Sequence, residues 1–151
     1  MDSIDARSDA RSRLIAASPA DVYAALIDPA RLARWWGPNG FRNTIHTFDP
    51  RPGGTWTLTM HGPDGTDYPN ESRFTRLEPR RLFEIEHLSG HHFILTVELT
   101  EAGAHTRVDW RQTFDTVDHY QRLAEFVAAA NEQNLRRLEA EVGPEAPDAQ
   151  T

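Results

Sequence analysis

The sequence predicts an α+β fold: a curved antiparallel sheet of about seven strands wrapped around one long C-terminal helix, with two short helices after the first strand. Three observations predict it. Short alternating segments separated by Gly, Pro, Asn and Asp turns fill the middle of the chain. An apolar period of about 3.6 residues runs from Asp115 towards Gly143. Two consecutive helix-start signals, Ser18-Pro19-Ala20-Asp21 and Asp28-Pro29, precede the alternating region.

Taken in order, Arg13 to Ala17 is a short first strand. Ser18 caps a helix that runs to about Ile27, and Pro19 fits its first turn. Asp28-Pro29 starts a second helix carrying Arg31 to Trp35, and Gly37-Pro38-Asn39-Gly40 stops it. Strands follow at Phe41 to Phe48, Thr55 to Met60, Tyr68 to Leu77, Arg81 to Leu88, and Phe93 to Leu99. In the last strand Val108, Trp110, Gln112 and Phe114 alternate with charged and polar residues. The closing helix begins near Asp115 or Thr116. Tyr120, Leu123, Ala124, Val127, Ala130, Leu135 and Leu138 share one face, and Glu125, Glu132, Arg136 and Glu139 the other. A stripe that wide must cover something, and the apolar face of the sheet is the partner at hand.

The chain has 151 residues, the length of one domain. That domain is expected over residues 13–142, with 1–12 and 143–151 as flexible termini. Cysteine is absent, which excludes disulfides, thiolate metal sites and a cysteine nucleophile. Lysine is absent too, which excludes Schiff-base chemistry and a P-loop lysine. The net charge of -7 argues against non-specific nucleic-acid binding. No apolar run reaches the length of a membrane span, and Met1 to Arg13 lacks the apolar core of a secretory signal. Those two features point to a cytoplasmic protein without membrane association. Thr55, Thr57 and Thr59 on the outward face leave room for no more than a modest homodimer interface.

Several stretches resemble bacterial homologues of the heat-shock-protein-90 ATPase activator, a family of the START-like (SRPBCC) superfamily of helix-grip folds. They are Ile15-Ala16-Ala17-Ser18-Pro19-Ala20-Asp21-Val22-Tyr23, Trp35-Trp36-Gly37-Pro38, Gly53-Gly54-Thr55-Trp56, Met60 through Asn70, and Glu78-Pro79-Arg80-Arg81-Leu82. Together they span roughly Arg13 to Leu138. The resemblance implies an internal cavity between helix and sheet. It does not imply one activity, because the superfamily holds carriers, receptors, cyclases and co-chaperone modules. The chain departs from many relatives in its last helix, with Asn131-Glu132 where they carry Gly-Trp.

The candidate site is the inward surface that this fold would enclose. Its apolar walls are Trp36, Phe48, Trp56, Leu58, Met60, Tyr68, Ile85, Phe93, Trp110, Phe114 and Val127. Trp35 and Trp36 point about 100° apart on a helix, so one packs inside while Trp36 lines the mouth. His87, Gln112, Asn131 and Asn134 interrupt otherwise apolar faces. Four buried polar groups in a dry core would be expensive, and a ligand with a polar end would satisfy them. The seven histidines show no convergent ligand spacing, so no metal or other cofactor is expected. None of the six serines lies in a Gly-x-Ser-x-Gly turn. His87 is a candidate acid or base, but no second catalytic group accompanies it. A binding module for a small hydrophobic molecule is therefore the first expectation. A cyclase- or hydrolase-type enzyme in the same cavity, and a chaperone partner, are the alternatives.

Overall fold

The structure, a computed structural model, describes residues 3–143. The order of elements is β1 (Ser8–Ile15), α1 (Pro19–Ile27), α2 (Pro29–Trp35), β2 (Arg42–Phe48), β3 (Thr55–His61), β4 (Asp67–Glu78), β5 (Leu82–His87), β6 (Phe93–Ala102), β7 (His105–Phe114) and α3 (Val117–Val142). The seven strands form one antiparallel sheet in the order β1-β7-β6-β5-β4-β3-β2. Successive strands from β2 to β7 are neighbours, and β1 closes the far edge against β7. The chain is thus a helix-grip fold.

The helices begin where their caps sit. Ser18 Oγ accepts from the Asp21 N–H at 3.1 Å, and Asp28 Oδ1 accepts from the Ala30 N–H at 3.0 Å. Thr116 rather than Asp115 caps α3, accepting from the His119 N–H at 3.0 Å. Each cap satisfies a donor that the first helical turn leaves free.

Two bulges bend the sheet. One lies between Ile45 and Thr47 in β2, the other between Phe74 and Arg76 in β4. An extra residue shifts the alternation by one. Ile45 and Phe48 therefore both pack on the core, as do Phe74 and Leu77. At the β2–β3 turn a Cβ on Gly54 would lie 1.9 Å from the Asp49 carbonyl oxygen. Backbone passes so close that only glycine fits, which explains the second glycine of Gly53-Gly54-Thr55-Trp56.

β1 corrects the expectation of a flexible lead over 1–12. A short 3₁₀ turn at Asp5–Arg7 leads into a strand that begins at Ser8, not Arg13, and pairs with β7 from Ser8↔Thr113 to Ile15↔Thr106. The inward face of this strand is charged. Arg11 donates to Asp9 and to Glu132 of α3, and Arg13 donates to Glu132 and Glu139. Glu132 and Glu139, expected on the outer face of α3, thus clamp the helix to the sheet edge. The segment from 144 onward, part of the expected flexible tail, lies outside the described residues.

The core lies between sheet and helices. It contains Ile15, Leu26, Leu32, Trp35, Trp56, Phe74, Phe83, Val97, Trp110, Leu135 and Leu138, all essentially buried. Burial of each such side chain contributes on the order of 1.5–3 kcal/mol. No helix among the described residues is long and apolar enough to cross a membrane.

Candidate functional site

The inward residues singled out from the sequence fall into three groups rather than one. The first is an aromatic cluster between α2 and the sheet. The Trp36 ring lies 4.9 Å from Trp56 and 6.0 Å from Trp110, and Phe48 meets Trp56 edge-on at 5.8 Å. Phe74, which sequence reasoning missed, stacks on Trp56 at 6.1 Å. Trp35 is 1% exposed and donates its Nε1–H to the Ala25 carbonyl, whereas Trp36 is half-buried. Leu58 and Ile85 lie in the same core, and Met60 packs against it.

The second group surrounds Asn131. Its Oδ1 accepts from Trp110 Nε1 at 3.0 Å, and its Nδ2 donates to Asp9 and to Gln112 Oε1, each at 3.0 Å. Burial pushes the Asp9 carboxyl up, but its bonds with Arg11 and Asn131 outweigh that and hold it below the usual range. Val127 is buried in α3 one turn before Asn131. Asn134, the next inward amide, binds elsewhere: it accepts from the Gly37 N–H and donates to the Trp35 carbonyl. These amides hold elements together, with partners supplied by the fold. A buried amide is stable when the fold itself supplies its partners.

The third group lies along the cross-strand row that runs from Trp56 through Ser72 and His87 to Phe93 and Phe114. His87 stacks on Phe93 at 4.5 Å, and Phe93 packs on Phe114 at 5.7 Å. His87 Nδ1 lies 2.7 Å from the His91 carbonyl oxygen and Nε2 lies 2.6 Å from Asn70 Oδ1. Burial pushes the His87 ring below the ordinary histidine pKa. Both partners are acceptors, and a neutral ring donates to only one of them. Tyr68 is half out in solvent, with its ring 5.9 Å from Phe41 rather than in the interior.

Two buried polar atoms in the grip have no partner: Trp56 Nε1 and Asn43 Oδ1. Asn43 was missed because the bulge hides the alternation of β2. Its Nδ2 donates to the Ala33 and Trp36 carbonyls, so both orphans border Trp36. Most buried polar groups find partners, and one left alone costs about 1–3 kcal/mol. Arg137 was also missed. It donates to the carbonyls of Arg34, Trp36, Gly37, Pro38 and Phe41, strapping the α2–β2 loop onto α3.

Two concavities lie outside the grip. One concavity of about 780 Å³ lies beside the start of α1 and the β4–β5 turn, and one of about 350 Å³ lies on the outer face of β1, β7 and β6. The grip end at α2 is packed by its aromatic rings.

Glu84 and Glu86 face outward on β5, opposite Phe83 and Ile85, and both are held by ion pairs. Glu84 is buried and accepts from Thr75, Thr96 and twice from Arg76. Glu86 pairs with Arg73 and with His92 Nε2, whose Nδ1 lies 2.8 Å from Asp115. Glu86 first, then Asp115, raises the His92 pKa above its ordinary value. A raised folded-state pKa gives stability that is complete below the unfolded value of about 6.5 and is lost as pH rises through the folded value. His87 carries the opposite sign, so a difference between variants isolates His92. Wild type is expected to exceed His92→Asn in thermal stability more at about pH 5.5 than at about pH 8.5, by under about 1 kcal/mol because solvent screens the pair. A pH-independent difference in melting temperature would remove the ion-pair account.

Residues 16–143 match the protein family described as "Activator of Hsp90 ATPase homolog 1-like protein". Similar solved structures include a protein from Chromobacterium violaceum, with TM-score 0.80 and 24% identity over 91% of this chain and 99% of that one. A solution structure from Arthrobacter aurescens has TM-score 0.83 and 25% identity, over 93% and 88%. The AHSA1 protein of Silicibacter pomeroyi has TM-score 0.71 and 22% identity, over 89% and 96%. No curated protein matches the sequence significantly.

Proposed function

Because the chain belongs to the Activator of Hsp90 ATPase homolog 1-like family and takes the helix-grip fold, we propose that it is a binding module for a small, mostly apolar molecule held in the grip. One observation carries this reading: Trp56 Nε1 and Asn43 Oδ1 are buried beside Trp36 without partners. An orphaned donor and an orphaned acceptor next to a half-buried ring fit a pocket that its occupant completes. Trp36 is the half-buried wall of that pocket, held by the bonds from Asn43 and Arg137 to its carbonyl.

The occupant carries a neutral hydroxyl, which both accepts and donates. Trp56 requires an acceptor and Asn43 a donor, and the aromatic surroundings disfavour a charge. His87, Gln112, Asn131 and Asn134 are left out of the recognition because the fold satisfies them. Nothing on the surface favours the chaperone-partner reading over ligand binding.

Native mass spectrometry of the purified protein tests the proposal. A reproducible mass excess, released on denaturation and soluble in organic solvent, is expected. Trp56→Phe keeps the ring stack on Phe74 and removes the orphaned donor. This variant is expected to lose the bound mass while remaining folded. A Trp56→Phe protein that still carries the same bound mass would show that the indole N–H takes no part in holding a ligand.

A further inference from the structure

We propose that the outer face of the sheet, opposite the grip, carries a separate binding site for a small carboxylate centred on Arg111. One row of cross-strand neighbours carries the inference: Ala10 on β1, Arg111 on β7, Thr96 on β6, Glu84 on β5 and Arg76 on β4. At one end of the row the charges are matched. Glu84 accepts from both nitrogens Nε and Nη2 of Arg76 and from the hydroxyls of Thr75 and Thr96. At the other end they are not. Arg111 Nε is buried and has no acceptor. Thr96, turned towards Glu84, separates Arg111 from that carboxylate.

The other acids nearby do not serve it. Asp109 is paired with Arg107 at 3.1 Å, and no carboxylate among the described residues lies within ion-pairing distance of Arg111. The floor around the guanidinium is open because its neighbours on the edge strand, Ala10 and Ser12, are small. They border the concavity of about 350 Å³, together with Thr96, Glu98, Arg107, Asp109 and Arg111. That volume is at the small end of ligand pockets.

A guanidinium with an unmet buried donor is completed by an anion, and a carboxylate matches its fork geometry. The charge of the surroundings sets the class. Arg107 and Arg111 stand against Asp109 and Glu98, while Arg11, which also borders the concavity, is paired with Asp9 and Glu132. A monoanion completes Arg111, whereas a dianion such as phosphate meets uncompensated repulsion from Glu98 and Asp109. The site is independent of the grip, which lies on the other face of the sheet.

The test uses the full chain in ¹H–¹⁵N spectra at constant ionic strength. Sodium acetate replaces sodium chloride stepwise, and inorganic phosphate serves as a second probe. Saturable shifts confined to Ala10, Ser12, Thr96 and the Arg111 Nε–H are expected with acetate. Binding should be at least about tenfold weaker in Arg111→Gln, where a neutral amide replaces the charged donor. Ala10→Glu supplies a carboxylate of the protein's own across the strand pair. It is expected to raise the melting temperature and abolish the acetate response, and it keeps the test informative if Arg111→Gln folds poorly. The proposal is overturned if acetate gives no saturable shift, if Arg111→Gln saturates like wild type, if Ala10→Glu retains the acetate response, or if phosphate binds more tightly than acetate.

Discussion

Replacing Asn131 by leucine is expected to lower the unfolding free energy by about 2–4 kcal/mol, although leucine suits a helix and a core. The loss arises in the partners. Trp110 Nε1 is left as a buried donor without an acceptor, and Asp9 and Gln112 each lose the amide that donates to them. Asp9 is a buried carboxylate, so it retains Arg11 but forfeits part of the solvation that the protein substitutes for water. Urea unfolding measures the change. Asn131 as a ligand-contacting amide would give a different pattern: stability near wild type in the empty protein and a loss of affinity only. The two readings differ in which quantity moves, so one variant separates them.

Arg137→Met is expected to have the second large effect, about 2–3 kcal/mol, on the scale of hydrogen bonds to a charged donor. Methionine keeps much of the aliphatic stem and removes every bond to the carbonyls of residues 34–41. Desolvation pushes the Arg137 pKa down and no carboxylate among the described residues pairs with it, yet guanidinium remains charged throughout the accessible range. Its counterpart is the set of carbonyl dipoles at the end of α2. Without it the loop loses its hold on α3, and Trp36 loses the frame that positions it against Trp56. Hydrogen exchange at Gly37 to Phe41 should quicken more than exchange in β5 to β7, and Trp36 should become more exposed. Uniform exchange across the chain would show that Arg137 stabilises the fold globally and does not strap this loop.

The parts of the fold visible in the sequence are those where local chemistry and tertiary packing agree. Ser18, Asp28 and Thr116 cap helices by short-range bonds, and the alternation of β3 and β7 points apolar residues at one core. β1 was misread because its inward residues Asp9, Arg11 and Arg13 are charged. Their partners, Glu132, Glu139 and Asn131, lie more than a hundred residues away in sequence. Periodicity records polarity, and a strand whose buried face is an ion-pair network looks like a surface tail. Glu84 illustrates the same limit on the outer face, where alternation indicated direction but not burial. Its threonine and arginine neighbours come together only through the register of β4, β5 and β6.

The candidate site was legible as a set of inward residues and not as a function for each. Whether an inward amide or imidazole waits for a ligand depends on its partners, and partners are set by tertiary contact. Trp35 and Trp36 separate by helical geometry alone. His87 does not, because Asn70 and the His91 carbonyl reach it across strands. Asn43 escaped notice because a bulge at His46 changes the phase of β2. Nothing in the sequence marks Arg137, and only the returning loop reveals its role.

The most direct test of ligand binding in the grip is the indole region of the ¹H–¹⁵N spectrum during a phenol titration, with toluene and benzoate as the apolar and charged controls. Four tryptophans give four indole N–H signals. Those of Trp35 and Trp110 are already hydrogen-bonded within the protein, while that of Trp56 is buried and free. The account predicts a saturable downfield shift of the Trp56 signal with phenol, identified by its loss in Trp56→Phe, and a weaker response to both controls. A Trp56 signal that stays in place with phenol, or moves equally with benzoate, would contradict a grip poised for a neutral oxygen-bearing ligand.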